Sequence, residues 1–510
     1  MRIVRATMPL VLIASLRALG QGPDAPCPVV RTEALPPCDA PAARSTLATL
    51  DGTKVTASDL DEAVRKRIDG LDAAVAEARR KALDAEVDDT LLRLEAERRK
   101  VSFRDLWESE VLRKTPPPTE ESLRLEYEDW KKWYPDTPFE DLRNRLVSVV
   151  RDANREKREA EFARSLRGRF PVAPGLDPSA QGLARDAVLA TVGDRKITRG
   201  SAATRLEAAA YGARSSVYYA ERSALEALVT KRLIKAEAEK RGISPEALRN
   251  AEVDDRILKP TDEEVAKEWE EWGEKTKGGL EAARSRVAAS LEKQRKAALE
   301  DELDKKLRSG RAIKVDLPAP ASPVLEINLS GAASRGPSDA PVTLVEFADF
   351  ECPHCGKMWP IVEEALEPYG ARVRYVFRNF PLPFHEFALE AAMAAHAAHR
   401  QGRFFELADL LFANQKTLTR AHLVQLAAKA GLDADRFSRD LQAGGDAADV
   451  LLEKREGERI GVQGTPMLFV NGVFAGWEVH DVAGIRAVLD AAFAKASGTA
   501  LAPAVKAATP

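Results

Sequence analysis

The sequence predicts a multidomain chain in two unlike parts: a mainly α N-terminal module present twice, then an α/β domain. Three observations carry this. The chain has 510 residues, too many for one hydrophobic core. Similar residues recur at an offset of 142 through most of the first 315 positions. Cys352-Pro353-His354-Cys355 lies directly after a strand-like run, Thr343-Leu344-Val345-Glu346-Phe347, and directly before a helix-like one.

Bulk composition sets bounds. A net charge of −3 with 31% charged residues gives no sign of a nucleic-acid partner. Apolar content of 45% is ordinary for a folded protein. Aromatic residues are only 6%, and abundant Ala, Glu, Arg and Leu favour helix over most of the length.

Residues 1–20 read as an export signal. Arg2 and Arg5 precede the apolar run Met8 to Leu16, and Ala18-Leu19-Gly20 offers a small-x-small cleavage site. That run is too short to span a bilayer, so the mature protein is expected to be soluble and extracytoplasmic. Residues 21–46 form a Pro-rich leader holding Cys27 and Cys38. These two are candidates for a structural disulfide, with idle thiols the alternative; the even cysteine count suits an oxidising compartment.

The repeat occupies 47–175 and 186–315. Leu47 to Thr56 reappears as Leu189 to Thr198, and Leu83, Val87, Leu91 and Leu92 fall on Leu225, Val229, Leu233 and Ile234. Pro118-Thr119-Glu120-Glu121 falls on Pro260-Thr261-Asp262-Glu263, and Tyr127 and Trp130 on Trp269 and Trp272. One register held this long points to a duplication. Each copy reads as a short strand or turn followed by helices, with one apolar helical stripe. Thr261 with Glu264 makes a capping box, Gly242 a helix stop, and long charged helices over roughly 138–168 and 279–309 close the copies. The paired segments Asp51 to Thr56 with Thr119 to Trp130, and Asp194 to Thr198 with Thr261 to Trp272, resemble the helical N-terminal module of periplasmic foldases of the SurA and parvulin-chaperone type. No parvulin catalytic domain follows either copy, so that resemblance implies a cradle for unfolded chains and not prolyl isomerase activity. A dimerising arm or spacer is the alternative. The aromatic set could grip peptides, although a spacing of three suits sealing the helices of each copy.

Residues 316–335 read as a linker, with Leu317 to Pro323 Pro-rich and extended. The α/β domain is expected over 336–496, and 497–510 as a frayed Ala- and Pro-rich tail.

Two thiols two residues apart at a strand-to-helix junction form a candidate redox couple. Cys352 should sit at a helix N-terminus, where unpaired N–H groups and the helix dipole favour a negative sulfur. His354 can add a hydrogen bond or positive charge. A lower thiol pKa stabilises the reduced form and makes the disulfide more oxidising; one unit is ~1.4 kcal/mol, or ~30 mV for a two-electron couple.

These residues, together with Ala340 to Phe347, Arg374 to Leu382, Pro360 and the run Gly461 to Gly472 containing Gly464-Thr465-Pro466, resemble the DsbA-like class of the thioredoxin fold. The resemblance implies an α/β thioredoxin fold with a helical insertion between Leu382 and Gly461. It also implies a cis Pro466, a Thr465 backbone available to an extended substrate, and Glu346 as a buried acid relaying protons for Cys355. An ordinary strand-end carboxylate is the alternative for Glu346. Cys352 would be the sulfur that substrates attack and Cys355 the resolving one, so the working group is the Cys352–Cys355 disulfide with no further cofactor.

A zinc site built from Cys352, Cys355, His396 and His399 is weighed and set aside, because finger-type spacing is missing and the Thr-Pro loop has no role in it; no metal is expected. His385, His422 and His480 show no partners in the sequence. Trp359 could touch substrate but suits a core. The function expected is thiol–disulfide exchange in exported proteins, with a membrane-bound oxidant or reductant restoring the couple. The alternatives are an isomerase or reductase with a dimerising arm, and a holdase chaperone with a non-catalytic thioredoxin-like end.

Overall fold

The computed structural model describes residues 46–497 apart from 136, 273–278 and 445. The signal segment, Cys27 and Cys38, and the tail beyond 497 lie outside the described residues.

The first 315 residues are helical with short strands. In order they run β1 (Ala48–Leu50), β2 (Thr53–Val55), α1 (Glu62–Asp69), α2 (Leu71–Arg99), α3 (Phe103–Glu110), α4 (Glu120–Trp130), α5 (Phe139–Leu166) and β3 (Val172–Pro174). Then follow β4 (Val188–Val192), β5 (Arg195–Thr198), α6 (Ala203–Arg241), α7 (Pro245–Glu252), α8 (Asp262–Trp272), α9 (Gly279–Arg308) and β6 (Ile313–Val315). The pairs β2 and β5, α3 and α7, and α4 and α8 each begin 142 residues apart. Local chemistry explains the boundaries. Gly242 ends α6 in the left-handed conformation, and Lys100 does the same for α2. Thr261 Oγ1 accepts from the Glu264 N–H while the Glu264 carboxylate accepts from the Thr261 N–H, closing the capping box.

Residues 47–175 and 186–315, expected as two modules, pack into each other rather than side by side. Hairpin β1–β2 pairs with β6, at the end of the second copy, and hairpin β4–β5 pairs with β3, at the end of the first. Leu47, Ala48, Leu50 and Val55 pack on Leu225, Val229, Leu303 and Leu307 of α6 and α9. Leu189, Val192 and Ile197 pack on Val87, Leu91 and Phe162 of α2 and α5. The corresponding helices differ in continuity. Gly70 separates α1 from α2, but Gly212, its counterpart, stays inside the 39-residue α6. At 1.5 Å per residue α6 reaches about 58 Å, and its first turns, Ala202 and Leu206, pack with hairpin β4–β5 on α2 and α5.

The third section begins with β7 (Ala333–Arg335), β8 (Val342–Ala348), α10 (Pro353–Leu366) and β9 (Val373–Asn379). Helices α11 (Ala388–His399), α12 (Phe404–Ala413), α13 (Arg420–Lys429), α14 (Ala434–Ala443) and α15 (Asp446–Arg459) form the insertion, and β10 (Met467–Val470), β11 (Val473–Phe474) and α16 (Val482–Ala496) close the domain. The sheet order is β11-β10-β8-β9-β7, with β8 and β9 parallel and the rest antiparallel. That is the thioredoxin-like arrangement with its helical insertion. Alternation along β8 sends Leu344 and Ala348 towards α10, α16 and the insertion, and Val345 and Phe347 to the opposite face.

The linker expectation at 316–335 is corrected too. Leu325 is buried and its N–H donates to the Gly472 carbonyl at 2.9 Å, Val324 bridges to Val473, and β7 covers the free edge of β9. Apolar residues and an open sheet edge draw this segment into the domain. Nor do the two halves stand apart. Ala208 of α6 packs with Val345, Phe347 and Phe469 on the sheet's second face, and Tyr211 meets the Phe474 ring edge-on at 6.3 Å. On α15, Ala448 and Leu451 join the core of α2 and α5. Around them Arg104 Nε pairs with Asp449 at 2.7 Å, Arg455 with Glu159 at 2.7 Å, and both Arg455 and Arg205 with the buried Asp89.

The aromatic set seals helices. Tyr127 meets Phe139 edge-on at 5.3 Å, Trp130 lies against the Leu123–Leu146 cluster, and Trp269 against Val265 and Val287. Trp272's side chain lies outside the described residues.

Candidate active site

Strand β8 ends at Ala348, and a short turn delivers Cys352 to the N-cap position of α10 (φ −70°, ψ 119°), with Pro353 opening the helix and Pro360 inside it. Two ties hold the turn. The Cys352 N–H donates to the Asp349 carbonyl and the Gly356 N–H to the Cys352 carbonyl, both at 3.1 Å. From the insertion, Gln415 Nε2 donates to the carbonyls of Phe350 and Cys352, each at 2.8 Å. A Cβ at Gly356 would stand 2.2 Å from Gln415 Oε1, so glycine at that position leaves room for the clamp.

The two thiols differ sharply. Cys355 is fully buried, and burial, followed by the neighbouring Cys352, pushes it well above the usual thiol range. Cys352 is 4% exposed and drops from 9.0 to about 6. The Cys355 hydrogen bond is the main cause. Burial opposes it, Thr465 and the Cys355 backbone N–H add to it, and the Asp349 charge works against it. The Cys352 thiol donates to the Thr465 carbonyl at 3.4 Å, and the Thr465–Pro466 bond is cis. Thr465 and Pro466 thus face Cys352, as the resemblance implied. Pro353 and His354 are exposed at the rim of the helix.

Glu346 sits on the sheet face beneath this pair. It is fully buried, and burial lifts it from 4.5 to about 7 even though the Tyr375 hydroxyl donates to its Oε2 at 2.5 Å. Its Oε1 has no hydrogen-bond partner among the described residues. A carboxyl that changes charge near neutral pH beside two thiols is equipped to exchange a proton with them.

His385 was expected to lack partners, and the structure corrects this. Its Nδ1 lies 2.8 Å from Asp349 Oδ2, and that carboxylate, buried three residues before Cys352, also accepts from the Leu382 N–H at 2.8 Å. His422 likewise bonds Thr417, at 2.9 Å to the hydroxyl. Asp349, His385, Tyr375 and Gln415 are the site residues that sequence reasoning passed over. His385 carried a faint signal, being in the loop directly after β9; Gln415 carried none, because only the folded insertion brings it to the turn. Trp359 is buried, its Nε1 donating to Asp409 at 2.8 Å.

His396 and His399 do not converge with the cysteines. Among the described residues the one metal-type grouping is His396, Asp446 and Asp449, whose ligand atoms lie within 4.8 Å of one another. Its carboxylates are taken up by guanidinium groups, Asp446 by Arg400 and Asp449 by Arg104. Such charges oppose a cation there.

A thioredoxin family model matches residues 330–491. The sheet order and the helical insertion of this segment are thioredoxin-like. Among solved structures, the domain is similar to BdbD from Bacillus subtilis (22% identity, 34% of this chain and 98% of that one, TM-score 0.31). A thioredoxin-like oxidoreductase from Silicibacter pomeroyi is also similar (26% identity, 34% and 95%, TM-score 0.30). In sequence the chain is 47% identical over 139 residues to the Na(+)/H(+) antiporter NhaA 3 of Salinispora tropica, and 38% identical over 141 residues to NhaA 1 of Mycolicibacterium gilvum. These matches take in 27% of this chain and 21% and 23% of the antiporters, so the chain spans about a fifth of the length of the curated relatives it matches. No helix among the described residues is long and apolar enough to cross a membrane.

Proposed function

We propose that the protein is an extracytoplasmic thiol–disulfide oxidoreductase acting on cysteine-containing exported proteins. The observation that carries this reading is the division of labour between the thiols: Cys352 acidic and set against the Thr465 carbonyl, Cys355 buried and hard to ionise. With the couple oxidised, a client thiolate attacks Cys352 Sγ. The Cys352–Cys355 bond breaks, a mixed disulfide forms, and Cys355 leaves as a thiolate that takes a proton from Glu346. A second client thiolate then attacks the client sulfur and expels Cys352 as a stable thiolate. Two electrons pass from client to enzyme, and a membrane-bound thiol oxidant removes them. An acidic leaving group favours this direction over reduction or isomerisation.

We further infer that residues 47–315 descend from a duplicated unit of the foldase-module type and hold unfolded clients near the couple. The 142-residue recurrence of elements supports the duplication. Exposed Trp133 and Tyr134 at the tip beyond α4 supply an apolar surface for client binding. The antiporter likeness carries no proposal of ion transport.

The test is trapping. Cys355→Ala should accumulate client mixed disulfides on non-reducing gels, and Cys352→Ser should abolish them. A Cys355→Ala protein that stays free of mixed disulfides in its export compartment would remove catalysis and leave holding alone.

A further inference from the structure

A carboxylate outside the Cys-x-x-Cys motif, Asp349, is buried three residues upstream of Cys352. By itself that charge opposes ionisation of Cys352. Its buried setting is built: the carboxylate accepts the Glu351 N–H at 2.7 Å, the Leu382 N–H at 2.8 Å and the His385 ring at 2.8 Å. His385 comes from the loop between β9 and α11, so two separate segments meet at this carboxylate. The groups facing His385 are Asp349, Glu351 and Cys352 from the β8–α10 segment, and its own neighbour Glu386, which accepts from Asn144 of α5 at 2.8 Å. Glu351 is itself engaged, accepting the Phe387 N–H at 2.5 Å. Burial alone would lower His385, yet the Asp349 hydrogen bond and then the charges of Asp349, Glu351 and Cys352 outweigh it and hold the ring above the ordinary histidine value.

We propose that the Asp349–His385 pair, outside the Cys-x-x-Cys motif, sets the charge beside Cys352 and so the oxidising strength of the couple. With His385 protonated, its charge offsets that of Asp349, and this pair no longer repels the Cys352 thiolate. Once His385 loses its proton, the bare Asp349 carboxylate disfavours that thiolate. His385 is thus a positioning residue, acting through Asp349, and it makes the couple a weaker oxidant as pH rises through the imidazole's titration. This inference rests on the oxidoreductase reading.

The test is His385→Gln, which removes the positive charge and keeps a side chain able to donate to Asp349. An unscreened like charge moves a thiol by about one unit or more. The thiolate fraction of Cys352 at pH 5 should therefore fall about tenfold, read as iodoacetamide alkylation rate against pH. The equilibrium constant with glutathione should shift about tenfold, or about 30 mV, towards a weaker oxidant. Asp349→Asn combined with His385→Gln should recover most of the loss. Should the variants misfold, histidine NMR on the wild type decides: reciprocal coupling requires the His385 pKa to be higher in the reduced enzyme than in the oxidised one. A wild-type profile with an acidic Cys352, unmoved by His385→Gln, and a His385 pKa blind to redox state would overturn this inference and leave the oxidoreductase reading standing. A wild-type Cys352 that titrates like free cysteine would instead overturn the reading itself.

Discussion

Replacing Glu346 by Gln isolates the energetic cost of a buried acid. The native carboxyl titrates near 7, against 4.5 for the ordinary value, because burial penalises its charge. A raised acid binds its proton more tightly in the folded chain. Its contribution is therefore intact below pH 4.5 and is lost as pH climbs through about 7. A gap of roughly 2.5 in pKa corresponds to about 3 kcal/mol. The amide brings its own cost, about 1–3 kcal/mol for unsatisfied buried donors, but that cost does not vary with pH. Urea unfolding of the oxidised proteins, in which neither thiol titrates, at several pH values between 4.5 and 8.5 therefore separates the two. The stability difference between wild type and Glu346→Gln should change by about 3 kcal/mol across that range, in favour of Gln at high pH. Parallel stability curves would refute the claim that this carboxyl is buried and uncompensated, and with it the proton relay to Cys355.

Other outcomes follow from the same geometry. Reduced protein should gain stability over oxidised protein as pH rises from 6 to 9, because the depressed Cys352 thiol contributes stability that is lost as pH falls through about 6; differential scanning calorimetry at pH 5 and 8 checks the sign. Asp89→Ala leaves Arg455 and Arg205 without their shared carboxylate. It should cost about 3–5 kcal/mol and loosen the thioredoxin domain from the helices, seen as new protease cuts between 316 and 332. Gln415→Ala frees the Cys352 carbonyl and should slow client exchange several-fold while leaving the unfolding midpoint nearly unchanged. Protein recovered from the exporting organism should begin at Gln21 by N-terminal sequencing; an intact Met1 would contradict export.

Much of the site was legible because its chemistry is local. A dithiol after a strand and a proline at the helix start are short-range signals, whereas the placing of Thr465 and Pro466 against Cys352, 113 positions away, was implied by the resemblance alone. Helix limits were equally readable where caps mark them, as at Thr261 and Gly242. What escaped were the long-range pairings. The pairing of β1 with β6 joins strands far apart in sequence, that of β3 with β4 crosses from one copy to the other, and the break at Gly70 but not at Gly212 left no sequence signal. The docking of α15 on α2 and α5 relies on Asp89, Arg455 and Glu159, which in sequence look like ordinary surface charges. The Asp349–His385 pair joins residues 36 positions apart, across β9 and a loop that no periodicity connects.

The account turns on the acidity of one sulfur, and thiolate absorbance of the reduced protein against pH, with Cys352→Ser as the blank, measures it most directly. An inflection near pH 6 that vanishes in the blank is the expected result. A single inflection at the ordinary thiol value, about 8.5, would contradict the account.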